Sequence, residues 1–302
     1  MKKDIVLLLA LSLVLTGTSC QKEQALESAE GRKETNVQFT FCVEATKGVS
    51  SKALNLEDNT ATGGNETLRA YWKTDEKVAV YFAGNYLGDL TATVIGSDKH
   101  KATLAGTLNT VSGLQAGSSL ELLFPRSEWD YSIQNGAAPS ETGALASQFD
   151  YALASVTVAS VDEENKTIVP ATGASFESQQ SIFRFSFEAD ELPFAVKNLT
   201  IFAYKKMVQK REYENGEWKS VYGSVNIQPE AATENPLFVA LRSEYGSATT
   251  YEFMAVGGEN NALYVGTKAM PLDVLSNGVF ASTTVSLSKY SLKESGTANG
   301  VL

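Results

Sequence analysis

Short runs of alternating apolar and polar residues, separated by Gly, Asn, Ser and Asp, repeat through most of this 302-residue chain. Such period-two patterns are typical of half-buried β-strands, because successive side chains of a strand point to opposite faces. In the first run, Val37, Phe39, Phe41 and Val43 share one face, and Cys42 falls on the other with the polar residues. Helical periodicity is nearly absent. The pattern therefore predicts an all-β fold.

Further runs have the same alternation and the spacing of a β-sandwich. They are Lys77 to Phe82, Leu90 to Ile95, Lys101 to Leu108, Ser119 to Phe124, Ser181 to Glu188, Asn198 to Tyr204, Ser224 to Ile227, Leu237 to Leu241, Tyr251 to Val256, Leu263 to Gly266 and Val279 to Leu287. Turn chemistry supports these assignments. Asn215-Gly216 predicts a hairpin between Tyr213 and Trp218, and Asn277-Gly278 opens the last strand.

A charged run from Asp162 to Lys166 lies between two strand-rich halves of similar length. We take it as a junction and predict an N-terminal β-sandwich over residues 36–160 and a C-terminal β-sandwich over residues 161–302. The same run also fits a solvated hairpin tip inside one domain.

The N-terminus has the parts of a lipoprotein secretion signal. Lys2 and Lys3 precede an apolar run from Ile5 to Leu15, and small residues lead up to Cys20. We expect residues 1–19 to be removed and Cys20 to carry a lipid that anchors the chain to a membrane; the alternative is ordinary cleavage nearby, which leaves a free thiol. Residues 20–35 are polar and lack aromatic side chains, so we predict a flexible stalk.

Charge and residue counts exclude several classes of function. The net charge of −10 argues against nucleic-acid binding, which depends on clustered Lys and Arg. His100 is the one histidine and lies between two lysines, so we expect it to face solvent and exclude sites that need two histidines. No P-loop, dinucleotide fingerprint or nucleophile elbow occurs. We predict no cofactor and no metal.

Paired carboxylates are the remaining route to catalysis, since glycosidases need two Asp or Glu at the right separation. Asp75-Glu76, Glu57-Asp58 and Glu163-Glu164 lie at turn-like positions, where exposed charge is the expected state. We therefore predict that the chain is not an enzyme.

Three aromatic side chains offer another kind of site. Trp72, Trp129 and Tyr131 could stack on sugar rings at the surface, although core packing explains them as readily. A surface glycan-binding lipoprotein is therefore an alternative function.

Several segments after Cys20, in their order, resemble fimbrillins, the lipoprotein-derived pilins of Gram-negative anaerobes. They are Val37 to Val43, Tyr71 to Tyr81, Leu122 to Pro125, Asp150 to Ala154, Ser181 to Phe187, Leu237 to Leu241 and Asn277 to Phe280.

The resemblance implies two transthyretin-like β-sandwiches and an outer-membrane lipoprotein that supports adhesion as part of a fimbrium. It also implies assembly with other fimbrial subunits, or with copies of itself, by strand exchange: a protease removes the first strand, Asn36 to Ala45, and a neighbour's strand fills the groove. The family cuts after an arginine, but Lys52 stands at the matching place, with Arg69 as a less favoured site.

The C-terminal residues after Tyr290 are polar and glycine-rich, which makes a poor donor strand. Val285 and Leu287 alternate suitably but belong to the last predicted strand. We therefore expect an accessory, tip or anchor subunit at least as readily as a shaft subunit. The adhesion receptor does not follow from the sequence.

Overall fold

The structure is a computed structural model. It describes residues 37–47, 55–57, 67–97, 99–109, 112–125, 128–139, 148–190, 194–203, 207–244, 248–258 and 260–291. The predicted signal peptide, stalk and Lys52 lie outside these residues.

Strands dominate the described residues, so the predicted all-β fold is confirmed. They are β1 Gln38–Lys47, β2 Asn55–Glu57, β3 Thr67–Arg69, β4 Lys77–Phe82, β5 Asn85–Val94, β6 Lys101–Asn109, β7 Ser119–Phe124, β8 Glu128–Asp130, β9 Ile133–Gln134, β10 Ala152–Asp162, β11 Thr167–Pro170, β12 Ala174–Ser178, β13 Ser181–Ala189, β14 Val196–Phe202, β15 Met207–Glu214, β16 Glu217–Tyr222, β17 Val225–Ile227, β18 Leu237–Ser243, β19 Thr249–Gly257, β20 Ala262–Met270 and β21 Phe280–Lys289. A short 3-10 helix, Leu272–Leu275, precedes β21. None of the helices in the described residues has the length and apolarity that a membrane crossing requires.

The first sheet closes on itself. Its strands follow the order β11-β1-β12-β10-β7-β4-β5-β6, and β1 also pairs with β6. The apolar side chains of these strands form one core, which includes Phe39, Phe41, Trp72 and Phe176. β1 is thus the strand that completes the sheet.

The second sheet is open, in the order β16-β15-β18-β13-β21-β20-β19-β14-β17-β9, with β8 paired to β15. β21 lies in its middle, parallel to β13 and antiparallel to β20. A second core lies against this sheet and includes Trp129, Tyr131, Phe183 and Tyr251. The fold therefore contains two sandwich-like sheets, each with its own core.

The charged run from Asp162 to Lys166 forms the tip of a hairpin. Asp162 pairs with Thr167 at the end of β10 and the start of β11, which is the second of the two interpretations given above. Strands β11 and β12 pair with β1, so the first sheet continues to Ser178. Both sheets lie in one compact unit, Asn36–Leu302, and the division into domains at residues 160 and 161 stays a prediction.

The two sheets meet where the β15–β16 hairpin packs on the first sheet. Tyr213 is buried with Ala79 and Leu123, and its ring lies 4.9 Å from that of Tyr81, centroid to centroid. The Asn215-Gly216 turn of this hairpin, which the sequence predicts, faces the turn between β4 and β5. The hairpin therefore connects the two sheets.

Candidate functional site

The candidate site is the groove that β1 fills in the first sheet. On one side, β1 runs antiparallel to β6, from Gln38 opposite Asn109 to Thr46 opposite Lys101. On the other side it runs parallel to β11 at Thr40 and Phe41, and then parallel to β12 at its end. Without β1, the backbone N–H and C=O groups of β6, β11 and β12 that face it would lose their partners.

Every second side chain of β1 is buried. Phe39, Phe41, Val43 and Ala45 point into the core, and Lys47 follows them on the same face. The alternation predicted from the sequence is therefore confirmed for Phe39, Phe41 and Val43. A strand with this spacing fills the groove with alternate side chains, which is how an inserted strand is recognised.

At the first strand, the sequence prediction was wrong for Val37 and correct for Cys42. Val37 precedes β1 and is 39% exposed, so it does not enter the core with the other three apolar residues. It precedes Gln38, where the pairing of β1 with β6 begins. Cys42 is exposed on the outer face, as predicted.

The start of β1 is held by the tip of the β10–β11 hairpin. The backbone N–H of Thr40 donates to the carbonyl oxygen of Lys166 at 2.8 Å, and the Thr40 hydroxyl lies 3.2 Å from that of Thr167. The Lys166 ammonium lies 5.1 Å from the centre of the Phe39 ring. These contacts fix the register of the strand at its first buried side chain.

The end of β1 is held by a buried ion cluster. Lys47 Nζ donates to Asp150 Oδ2 at 2.6 Å, to Glu76 Oε2 at 3.2 Å and to the carbonyl oxygen of Tyr71 at 3.2 Å. It also lies over the Phe124 ring, 3.8 Å from the centroid. A buried lysine is expensive unless paired, and here it is paired twice.

This ion cluster was not predicted from the sequence. The turn-like position of Glu76 predicts an exposed side chain, but the side chain is only 19% exposed and contacts Lys47. It turns inward because the turn before β4 brings it to the end of β1. The signal for Lys47 was present, because the alternation of β1 continues through Ala45 to residue 47 on the buried face.

Of the residues proposed for processing and anchoring, the structure describes only the backbone of Arg69. Cys20 and Lys52 lie outside the described residues. The backbone of Arg69 lies in β3 and pairs with Asn55 of β2. Cleavage after Arg69 would therefore have to occur in a paired strand.

The three aromatic residues considered for sugar stacking are buried. Trp72 packs in the core of the first sheet between Phe124 and Phe176, with ring centroids 5.3 Å and 5.2 Å away. Trp129 and Tyr131 lie in the second core. A buried ring offers no face to a sugar, so these residues do not form the platform that glycan binding needs.

His100 is half-buried rather than open to solvent. Its Nδ1 lies 2.8 Å from the carbonyl oxygen of Ala70, and its ring stacks on that of Tyr71 with centroids 4.8 Å apart. The ring is drawn in because β6 begins beside the segment that leads to Trp72. No group of three potential metal ligands occurs within the part of the chain that the structure describes.

A second charged cluster lies on β15 and at the end of β18 in the second sheet. Glu244 accepts from Arg211 Nε at 3.0 Å, and Arg242 lies 3.7 Å from the same carboxylate oxygen. Burial, with the neighbouring Arg242, lowers the pKa of Arg211 to about 10. Arg242 also donates to Gln179, which follows β12, at 2.6 Å. This cluster links the end of the first sheet's last strand to β18.

Comparison with known proteins gives no family assignment. No family model matches the chain, and no curated protein does. Among solved structures, a proposed cell adhesion protein from Bacteroides ovatus is 12% identical with a TM-score of 0.40, and covers 83% of this chain and 95% of its own.

A proposed adhesin from the same species is 9% identical with a TM-score of 0.40, covering 92% of this chain and 100% of its own. A fimbrial protein from that species is 10% identical with a TM-score of 0.31, covering 85% of this chain and 51% of its own. Similarities at this level identify neither a family nor a function for this chain.

Proposed function

We propose that this chain is a cell-surface fimbrial subunit and that the groove filled by β1, either opened or kept closed, determines whether it accepts a strand from a neighbour. The partners would be other fimbrial subunits or further copies of this chain, and a lipid on Cys20 would hold the chain at the outer membrane. The subunit would support adhesion, with no catalysis and no cofactor.

The observation that carries the proposal is the position of β1. This strand closes the first sheet and is the first of its eight strands in chain order, so its removal would leave the other seven strands on one continuous chain. Each fully buried Val or Phe side chain contributes roughly 1.5–3 kcal/mol, so an empty groove would bind a replacement strand with alternating apolar residues. The open backbone of β6 would supply the hydrogen bonds.

The groove defines two positions in a fibre. A subunit that loses β1 accepts a strand from its neighbour and lies within the fibre. A subunit that keeps β1 accepts none and lies at an end, as an accessory, tip or anchor subunit. The buried Lys47 cluster favours the second position, because pulling β1 out would leave Asp150 and Glu76 beside an empty groove.

The test is to fractionate surface fibres and determine the N-terminus of the chain that they contain, with a Lys52→Ala variant as the matched control. An N-terminus at Ala53 that is lost in the variant places the subunit within the fibre. An acylated N-terminus at Cys20, in a chain that still copurifies with fibres, places it at an end.

Two results would contradict the proposal as a whole. One is an uncut chain that stays monomeric at the surface and copurifies with no fibre. The other is a chain cut at Lys52 that releases β1, remains monomeric and fails to bind an added peptide of residues 36–47.

A further inference from the structure

The Lys47 cluster contains the groups that amide formation requires, namely an amine, a carboxylate that it can attack and a second carboxylate that can act as a base. It brings together one amine and two carboxylates, with Asp150 Oδ2 at 2.6 Å and Glu76 Oε2 at 3.2 Å from the same Nζ. The amine is the potential nucleophile, and the carboxyl carbon of Asp150 is one bond away from the oxygen that it contacts. Lysine amines attack carbon centres when they are desolvated.

The surroundings keep water out. The side chain of Lys47 is 1% exposed and that of Asp150 is 10% exposed. The rings of Trp72 and Phe124 cover Nζ, with centroids 4.2 Å and 3.8 Å away. The amine and the carboxylate therefore meet in a site from which solvent is excluded, so water does not compete with the amine for the carboxyl carbon.

We propose that Lys47 Nζ and the Asp150 side-chain carboxyl carbon form an intramolecular amide bond, with Glu76 as the general base. Such a bond would join the last residue of β1 to the segment that enters β10. Fixed orientation of the two groups replaces a bimolecular encounter, which is worth effective concentrations of about 10⁵ M or more.

The reaction balances without any co-reactant. A proton passes from the Lys47 ammonium to the Asp150 carboxylate, giving a neutral amine and a neutral acid. The nitrogen lone pair attacks the carboxyl carbon and forms the C–N bond, while Glu76 takes the second proton from nitrogen. The C–O bond to the hydroxyl group then breaks, the proton from Glu76 goes to that oxygen, and one water molecule leaves.

Glu76 is held in position for this role. Its Oε2 accepts from the backbone N–H of Lys73 at 3.0 Å as well as from Lys47 Nζ. The turn before β4 therefore holds the Glu76 carboxylate within hydrogen-bond distance of Lys47 Nζ. A base in contact with the nucleophile is what amide formation needs.

The bond would change what proteolysis can do. After cleavage at Lys52, β1 would stay attached through Lys47 to Asp150, and the first sheet would remain closed. A linked subunit would keep β1, accept no strand from a neighbour and therefore lie at a fibre end. This consequence rests on the proposed function. The bond itself does not depend on that function.

The test is peptide mapping of the full-length chain as the cell produces it, after denaturation and digestion with trypsin. We expect the peptides that contain Lys47 and Asp150 to be joined, with a mass lower than their sum by one water molecule, and no cleavage after Lys47. Lys210 and Asp130 provide an internal control: Nζ and Oδ2 are 2.8 Å apart, but both side chains are 39% exposed, and their peptides should stay separate.

Two variants assign the roles. Glu76→Gln should retain the fold, as judged by circular dichroism, and lose most of the linked peptide. Asp150→Ala should lose all of it. Separate linear peptides in the unsubstituted chain, with trypsin cutting after Lys47, would overturn the proposal whether or not the variants fold, and would leave the fibre experiment unaffected.

Discussion

The first and last strands of this molecule have similar pairings but different roles. Both β1 and β21 lie between a parallel and an antiparallel neighbour. β1 buries five of its ten side chains and closes its sheet, whereas β21 buries Val285 and Leu287 and lies in the middle of an open sheet. Loss of β1 would thus leave a deep groove, and loss of β21 would divide a sheet. Pairing alone does not make a strand exchangeable.

The test with the largest expected effect introduces the same negative charge into β1 and into β21. Ala45 is 1% exposed in β1, and Ala281 is half-buried in β21. We expect Ala45→Asp to lower the free energy of unfolding by about 3–5 kcal/mol, because it leaves a carboxylate uncompensated in the core. Ala281→Asp should cost about 1 kcal/mol. Urea unfolding measures both.

Cys42→Asp is the control within β1. Cys42 is exposed, so the new carboxylate stays in water and the cost should be about 1 kcal/mol or less. If Ala45→Asp and Cys42→Asp lower the free energy of unfolding equally, the inward-facing side of β1 is no less accessible to water than its outer side.

The next test concerns the contact between the two sheets. Gly84 lies in the turn between β4 and β5 with a φ of +79°, and a Cβ there would lie 2.5 Å from the backbone nitrogen of Gly216 in the β15–β16 turn. We expect Gly84→Ala to cost about 2–3 kcal/mol, from backbone strain plus displacement of the hairpin. Thermal unfolding followed by tryptophan fluorescence should show it, because Trp218 lies on that hairpin.

Gly96→Ala separates the two contributions. Gly96 also has a positive φ, of +60°, but no atom lies within 4 Å of the position that a Cβ would take, so only the strain of about 1–2 kcal/mol remains. If Gly84→Ala costs no more than Gly96→Ala, the two sheets are not held together at these turns.

Much of this fold could be predicted because alternation and turn chemistry are local. The predicted bounds of β4 and β7 match the structure, and Asn215-Gly216 forms the expected hairpin. The partners of β8 and β9 could not be predicted. These short strands follow β7 of the first sheet but pair with β15 and β17 of the second, and nothing in three or two residues specifies so distant a partner.

The candidate site shows the same limit. The buried face of β1 could be predicted from Phe39, Phe41 and Val43. The ion cluster at its end could not, because Glu76 and Asp150 are 29 and 103 residues from Lys47. Only the closed sheet brings them together. A charged residue that continues a buried alternation is nevertheless a usable signal, since it needs a partner inside the protein.

The smallest expected effect distinguishes the two sheets by their response to pH. Glu121 of β7 accepts a hydrogen bond from Tyr213, and burial raises its pKa above the usual 4.5. For Glu244 after β18, burial also acts to raise the pKa, but hydrogen bonds from Tyr222 and Ser220 outweigh it and hold the pKa below 4.5. The two carboxyls should therefore contribute with opposite signs.

A raised pKa means that the native state holds its proton more tightly than the unfolded state, so Glu121 contributes stability that is lost as pH rises past 4.5 through the raised value. A lowered pKa has the reverse effect, so the contribution of Glu244 is present above 4.5 and is lost as pH falls through the lowered value. Both carboxyls remain partly solvated, and screening should keep each effect below about 1 kcal/mol.

The free energy of unfolding, measured between acid and neutral pH, should show both signs. As pH rises, we expect the unsubstituted chain to lose stability relative to Glu121→Gln and to gain stability relative to Glu244→Gln. If both differences have the same sign, the carboxyl at the sheet junction and the one beside the arginines experience the same environment, and the contrast between the two regions does not extend to their electrostatics.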